Sequence, residues 1–314
     1  MIHEIKDMEK TLSELLPKRD ELGDKRAQGC ALVIAGSKDM PGAAALCTKA
    51  ALRSGTGLVT LASPRRIVPI LQAKLSEPVF ISLEDCRAGG TNFAKCAPDE
   101  IGSIDECDFL KDRHVPELLK STKYQQAVAI GPGLGQRQET RTAVRNFVTR
   151  CSLPMVIDAD GLNSLTVSDL KRINAPAILT PHKREFARLF GELSQDSNAL
   201  PEFLAEKAKE LGKIILLKSS PILVATPDGE VFVVPAANSG MAKGGSGDVL
   251  TGIIVAMLAQ GVAPADAAVL GACLHQKAGL IARQKLSAFS MLPSDVIECL
   301  PQTFLQASSS CGIS

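Results

Sequence analysis

Asn238-Ser239-Gly240-Met241-Ala242-Lys243-Gly244-Gly245-Ser246-Gly247-Asp248-Val249-Leu250-Thr251-Gly252 runs from a glycine-rich loop into an apolar stretch, 249–258, that reads as a buried helix. Such a loop turns successive backbone N–H groups toward one point, and the positive end of the helix dipole adds to their field. The segment predicts a site for phosphate, or for negative charge that develops during a reaction. Asp248 stands where anions gather. A carboxylate there suits a base that takes a proton from a hydroxyl attacking a phosphoryl group. It suits a helix cap equally well, because Asp is favoured at helix N-termini; the segment alone leaves both readings open.

Outward from this loop, short apolar runs alternate with helical ones. Strands are expected at 31–35, 57–62, 127–130, 155–157, 177–179 and 214–217, with helices at 43–54, 65–75, 139–150, 185–190 and 201–211. Pro227-Asp228-Gly229 joins 222–225 to 231–234 as a hairpin. This alternation predicts a mostly parallel central sheet flanked by helices on both faces. Further apolar helices are expected at 265–285 and 294–305, and an amphipathic helix over 1–20, interrupted near Pro17. Residues 85–112 break the pattern and read as a polar surface excursion with short helical pieces. With no linker, repeat or low-complexity block, one domain over 1–314 is expected: a core at about 28–306, an N-terminal helix and linker at 1–27, and a polar tail at 307–314.

Composition narrows the function. Of 314 residues, 45% are hydrophobic but only 4% aromatic, with no Trp and one Tyr, so the core is aliphatic and stacking platforms for single-stranded nucleic acid are not expected. A net charge of +1 argues against a nucleic-acid groove. No apolar run reaches the roughly 18 residues of a membrane span, and the charged N-terminus carries no export signal. The nine cysteines are odd in number and none has CxxC spacing, which points to reduced thiols in a cytoplasmic protein. Cys86, Cys96 and Cys107 share one loop-like stretch, but no neighbouring His supports a metal site there.

Each unusual polar or glycine cluster follows a strand: Ala35-Gly36-Ser37, Gly131-Pro132-Gly133-Leu134-Gly135, Asp158-Ala159-Asp160-Gly161-Leu162-Asn163, Thr180-Pro181-His182, and Lys218. Ligands bind outside the carboxyl ends of strands in open parallel sheets, so these clusters predict one extended crevice. The spacing at Gly131 to Gly135 differs from the dinucleotide fingerprint, and no P-loop occurs. His182 reads as a hydrogen-bonding fixture or as a substrate contact. Lys218 closes an apolar strand and either meets a phosphate or snorkels to the surface. Asp158 and Asp160 could steer Mg²⁺ through water or cap a helix.

Together, these motifs resemble, in order and over roughly 28–285, the ATP- or ADP-dependent NAD(P)H-hydrate dehydratases of the ribokinase-like superfamily. The resemblance implies a ribokinase-like fold without a separate lid domain. It implies repair of hydrated nicotinamide cofactor, in which the S-form of NADHX or NADPHX is phosphorylated by ADP or ATP on its C6 hydroxyl and loses phosphate to restore NADH or NADPH. By position, Asp248 would be the base and Gly245 to Gly247 would hold the transferring phosphate. Ala43, Gly133 or Gly135, His182 and Asp248 would contact NAD(P)HX, and Lys218, Ser219, Ser220, Pro221, Ile222 and Gly247 the nucleotide. Mg²⁺ is implied with the nucleotide, and a homotetramer by the family's habit. There is no room for the epimerase domain that larger members carry, so a stand-alone form with an NAD(P)HX epimerase on a separate chain is expected.

Two departures stand out. The family's Lys-Gly and small residues are replaced by Lys218-Ser219-Ser220-Pro221, and Lys243 replaces a threonine, placing a charge near the expected phosphates. The rival readings are a superfamily kinase acting on a vitamin precursor or sugar alcohol, and a nucleotide-binding sensor without catalysis.

Overall fold

In the computed structural model, which describes residues 1–84, 108–191 and 199–309, ten strands form one sheet. They are β1 Ile2–Glu4, β2 Cys30–Ile34, β3 Leu58–Pro64, β4 Val79–Leu83, β5 Ala127–Ile130, β6 Met155–Ile157, β7 Ala177–Leu179, β8 Ile214–Leu217, β9 Ile222–Ala225 and β10 Val231–Val234. The spatial order is β1-β10-β9-β8-β7-β6-β5-β2-β3-β4. From β4 through β8 every neighbouring pair is parallel, and β9 alone runs against the rest.

Successive residues of β2 feed opposite faces, as a period of two requires. Ala31 and Val33 enter one apolar layer, Leu32 and Ile34 the other. The first layer is closed by α1 Met8–Leu15, α2 Pro41–Arg53, α3 Val68–Gln72, and by three later helices, α10 Ser246–Ala259, α11 Pro264–Ser290 and α12 Pro293–Ser309. The second is closed by α4 Val115–Ser121, α5 Gln138–Val148, α6 Ala159–Asn163, α7 Val167–Lys171, α8 Lys183–Phe190 and α9 Leu200–Leu211. Burial on both faces explains why the central strands are continuous apolar runs. Each fully buried Leu, Ile or Phe, such as Leu32, Ile34 or Phe147, contributes about 2 kcal/mol.

The parallel, helix-flanked sheet agrees with expectation, and four local features differ. Residues 2–4 form β1, which pairs in parallel with β10, rather than opening the first helix. Helix α1 starts after Asp7, whose carboxylate accepts from Lys10 N, and Leu16 is extended because it precedes Pro17. Strand β4 extends the far edge beside β3, where no strand was expected. Helix α12 continues through Ser309, into the segment expected to be a polar tail. The expected excursion at 85–112 and the cysteines Cys86, Cys96, Cys107 and Cys311 fall largely or wholly outside the described residues. Among the described residues, Cys30, Cys47, Cys151, Cys273 and Cys299 are free and buried, and no helix is long and apolar enough to cross a membrane.

Candidate active site

Strands β2, β5, β6, β7 and β8 are consecutive neighbours, so the five polar clusters that follow them line one edge without interruption. The strand order reverses between β2 and β5, the position where parallel sheets open a crevice. Gly36 N donates to Pro132 O at 2.8 Å, knitting the first two loops together. At the other end, Lys218 N donates to Pro181 O at 2.8 Å and His182 bridges Lys218.

Helix α10 approaches this edge by its N-terminus. Gly245, at φ +97, is the residue before its first turn, a conformation that side chains resist. Ser246, Gly247 and Asp248 follow in that turn. The cap position belongs to Gly245, and no side chain caps the helix, so the capping reading of Asp248 is not realised. Its half-buried carboxylate receives no hydrogen bond among the described residues. Burial pushes its pKa up to about 7; the charge of Asp158 and, more weakly, Asp160 push the same way, while Lys218 opposes them. A base poised near neutrality is what proton abstraction from an alcohol needs.

Beside it, Asp158 is 1% exposed and doubly held, by Lys218 Nζ on Oδ1 at 2.6 Å and by the Thr251 hydroxyl on Oδ2 at 2.8 Å. Burial weakens the Lys218 charge, but Asp158 and Glu185 more than offset it, so the ammonium stays protonated. A methyl group placed on Gly247 would lie 3.2 Å from Lys218 Nζ and 3.6 Å from Asp158 Oδ2. The first turn of α10, a cation and a buried carboxylate thus converge, and Lys218 reaches the cradle instead of snorkelling away.

The remaining expected residues divide. Gly133 is buried, with space for a Cβ closed by Ala43 and Met40, while Gly135 and Ala43 are part-exposed at the crevice. Asp160 Oδ2 accepts from Gly135 N at 2.8 Å and Oδ1 from Gln136 Nε2 at 3.3 Å. Asp160 therefore shapes the glycine loop. His182 is the cap of α8: its Nδ1 accepts from Arg184 N and Glu185 N, and Glu185 accepts from His182 N in return. Its side chain remains 49% exposed, so the fixture and contact readings are compatible.

The Ser219 hydroxyl donates to Pro221 O and that of Ser220 to Ala236 O, which ties both into the turn after β8. Ile222 is 4% exposed in the core, so its side chain does not face the crevice. Lys243 donates to Phe289 O and Met291 O; its charge is spent on the C-terminal end of α11.

Among the described residues no three His, Cys, Asp or Glu side chains form a metal cage. Both oxygens of Asp158 and of Asp160 are already hydrogen-bonded, so these carboxylates do not fit direct Mg²⁺ ligation.

Sequence reasoning missed Thr251, Glu185, Ala159 and His275. Thr251 lies three residues after Asp248, a spacing that puts the two side chains on one helix face. Ala159, at φ +47, holds a backbone conformation unusual for a non-glycine residue directly after Asp158. No local pattern marks His275, which sits inside the apolar α11.

This geometry can be set against known proteins. The sequence profile of the NAD(P)H-hydrate dehydratase family matches residues 31–302. The bifunctional NAD(P)H-hydrate repair enzyme Nnr of Moorella thermoacetica is 37% identical over 91% of this chain and 51% of its own length. The ADP-dependent (S)-NAD(P)H-hydrate dehydratase of Bacillus subtilis is 32% identical over 92% of this chain and 94% of its own. A crystal structure of the Bacillus subtilis ADP/ATP-dependent NAD(P)H-hydrate dehydratase, grown with ATP and Mg²⁺, superposes with a TM-score of 0.75 at 29% identity, covering 95% of this chain and 97% of that one. A ribokinase-like superfamily protein of Enterococcus faecalis, at 21% identity and a TM-score of 0.76 over 98% of this chain and 96% of its own, shares the fold. The chain spans about half the length of the bifunctional relatives it matches. With its loops along one sheet edge, its glycine-led helix and its profile in agreement, the chain belongs to the NAD(P)H-hydrate dehydratase family, with a ribokinase-like fold.

Proposed function

We propose that this chain, as a single ribokinase-like domain, restores NADH and NADPH from the S-form of their hydrates at the expense of ADP or ATP. The observation that supports this reading most directly is Asp248: a carboxylate that receives no hydrogen bond among the described residues, with a pKa near 7, at the first turn of α10 beside Lys218 and Gly247. Asp248 accepts the proton of the C6 hydroxyl as that oxygen attacks the terminal phosphorus of the nucleotide. The amides from Gly245 to Gly247 and the Lys218 ammonium take up charge on the transferring group. The bond to the nucleotide breaks, leaving AMP from ADP or ADP from ATP. The C6–O bond then breaks, inorganic phosphate leaves with the former hydroxyl oxygen, and a proton lost from C5 completes the double bond. Hydroxide is a poor leaving group and phosphate a good one, which is why a nucleotide is consumed.

Ala43, Gly135 and the exposed side of His182 form the end of the crevice assigned to NAD(P)HX, with Gly133 supporting it from below. The turn from Lys218 to Ile222, together with Gly247, is assigned to the nucleotide, its contacts coming from main chain at Ile222. Mg²⁺ is assigned to the nucleotide's phosphates, since it keeps several waters and few protein carboxylates. Assembly as a homotetramer, supply of the S-hydrate by an epimerase and a cytoplasmic location complete the reading.

The deciding experiment incubates the full chain with NADH hydrate and either ADP or ATP, and follows return of reduced-nicotinamide absorbance. Nucleotide-dependent recovery is expected. No recovery with either nucleotide, alongside phosphorylation of an unrelated alcohol, would establish the kinase instead.

A further inference from the structure

Behind the anion cradle lies a histidine that the chemistry above does not use. His275 belongs to α11, is 4% exposed, and brings Nε2 to 3.3 Å from the Ser246 hydroxyl in the first turn of α10. Its Nδ1 is buried with no hydrogen-bond partner among the described residues. Burial lowers its pKa to about 4, the Ser246 main chain opposing and Lys218 assisting, so the ring is neutral near pH 7.

A neutral imidazole carries one proton, and its place decides what Ser246 can do. With the proton on Nδ1, a buried N–H would be left without an acceptor, and Ser246 would spend its hydrogen on Nε2. With the proton on Nε2, the ring donates to Ser246 Oγ and only a lone pair goes unmatched. Orphaned buried N–H groups are the rarer and costlier defect. The second arrangement also leaves the serine hydrogen free for another acceptor.

We propose that His275 is a positioning residue that donates from Nε2 to Ser246 and thereby fixes the Ser246 hydroxyl as a donor to the transferring phosphoryl group. The effect falls on the transition state, where charge on that group grows, more than on bound nucleotide.

The inference rests on the phosphoryl transfer proposed above, so the first measurement needs no turnover. Nitrogen-15 NMR of the full-length resting protein, with His275→Gln to assign the ring, reads which nitrogen is protonated. A protonated Nε2 is expected, and a protonated Nδ1 overturns the proposal whether or not the chain repairs hydrate. A wild type that repairs no hydrate refutes the function while leaving the tautomer result standing. In turnover, His275→Leu and Ser246→Ala are each expected to lower kcat about tenfold to a hundredfold with little change in nucleotide KM. The double variant is expected to fall no further than Ser246→Ala alone. His275→Gln, which keeps an N–H near the position of Nε2, is expected to recover most of the rate and guards against a merely unfolded Leu variant. Losses that multiply in the double variant, or a Gln variant as slow as a well-folded Leu variant, would show that the ring does not act through Ser246.

Discussion

Lys218 Nζ stands 2.6 Å from Asp158 Oδ1, so a single contact ties the end of β8 to the end of β6 across the intervening β7. Asp158 is almost wholly enclosed, and Thr251 holds its second oxygen from α10. The pair therefore anchors three elements and sets the field around Asp248. Lys218→Met strands a buried carboxylate without its cation, and a loss of about 3–5 kcal/mol is expected in denaturant titration. Stability equal to the wild type would mean that Asp158 does not depend on Lys218 for its place in the core.

The pH profile follows from the same field. Asp248 must be ionised to accept a proton, and its pKa is raised to about 7 by burial first and by Asp158 second. The value of kcat/KM for the hydrate is expected to rise with pH and level off above about 7. Asp158→Asn removes the charge that raises this pKa, so the acid limb is expected to move to lower pH. Both profiles come from initial rates across a buffer series; coincident limbs would show that Asp158 has no hold on the base.

Asp248→Asn is expected to abolish turnover while nucleotide affinity, read by calorimetry, stays nearly constant. Its stability carries a sign that can be checked. The folded-state pKa of Asp248 lies above the ordinary carboxylate value of 3.8, so between these two values the native state holds more proton than the unfolded chain. Native stability consequently falls as pH rises through that window. Asparagine carries no such penalty. The variant should melt above the wild type near pH 8, by at most about 4 kcal/mol, and the gap should close toward pH 4.

Gly247→Val introduces a branched side chain where even a methyl group meets Lys218 Nζ at 3.2 Å. The Lys218 ammonium must shift to make room, which loads its contact with Asp158. Nucleotide-dependent turnover is expected to fall at least tenfold, because the displaced ammonium and the added bulk both burden the phosphate cradle. Wild-type nucleotide KM and kcat in a folded Val variant would contradict the placement of phosphate there.

Much of this site is legible in the sequence because strands buried on both faces are unbroken apolar runs, and each ends abruptly at Gly, Asp, His or Lys. The loops after β2, β5, β6, β7 and β8 announce themselves in that way. Strand β1 does not: Ile2, His3 and Glu4 are short and partly exposed, and their partner in β10 lies far away in the chain. His275 is hidden for a related reason. Its meaning comes from Ser246 on another helix, a contact that no local spacing records. Lys243 shows the converse, a charge placed near the phosphates by sequence position but drawn off by two carbonyls at the distant C-terminal end of α11.

His182 offers a way to separate scaffold from chemistry. Its ring nitrogen Nδ1 caps α8, and Glu185, which closes the capping box, also stands 4.0 Å from Lys218 Nζ. Truncation in His182→Ala is expected to cost about 1 kcal/mol of stability through the lost cap. The same change weakens hydrate binding if the exposed side of the ring touches substrate. His182→Asn keeps a side-chain acceptor suited to the cap and discards the remainder of the ring. Near-native melting with a raised KM for the hydrate and an unaltered nucleotide KM is therefore expected for Asn, against losses in both stability and KM for Ala. An Asn variant that matches wild type in every constant would reduce His182 to a cap and remove it from the substrate's end of the crevice.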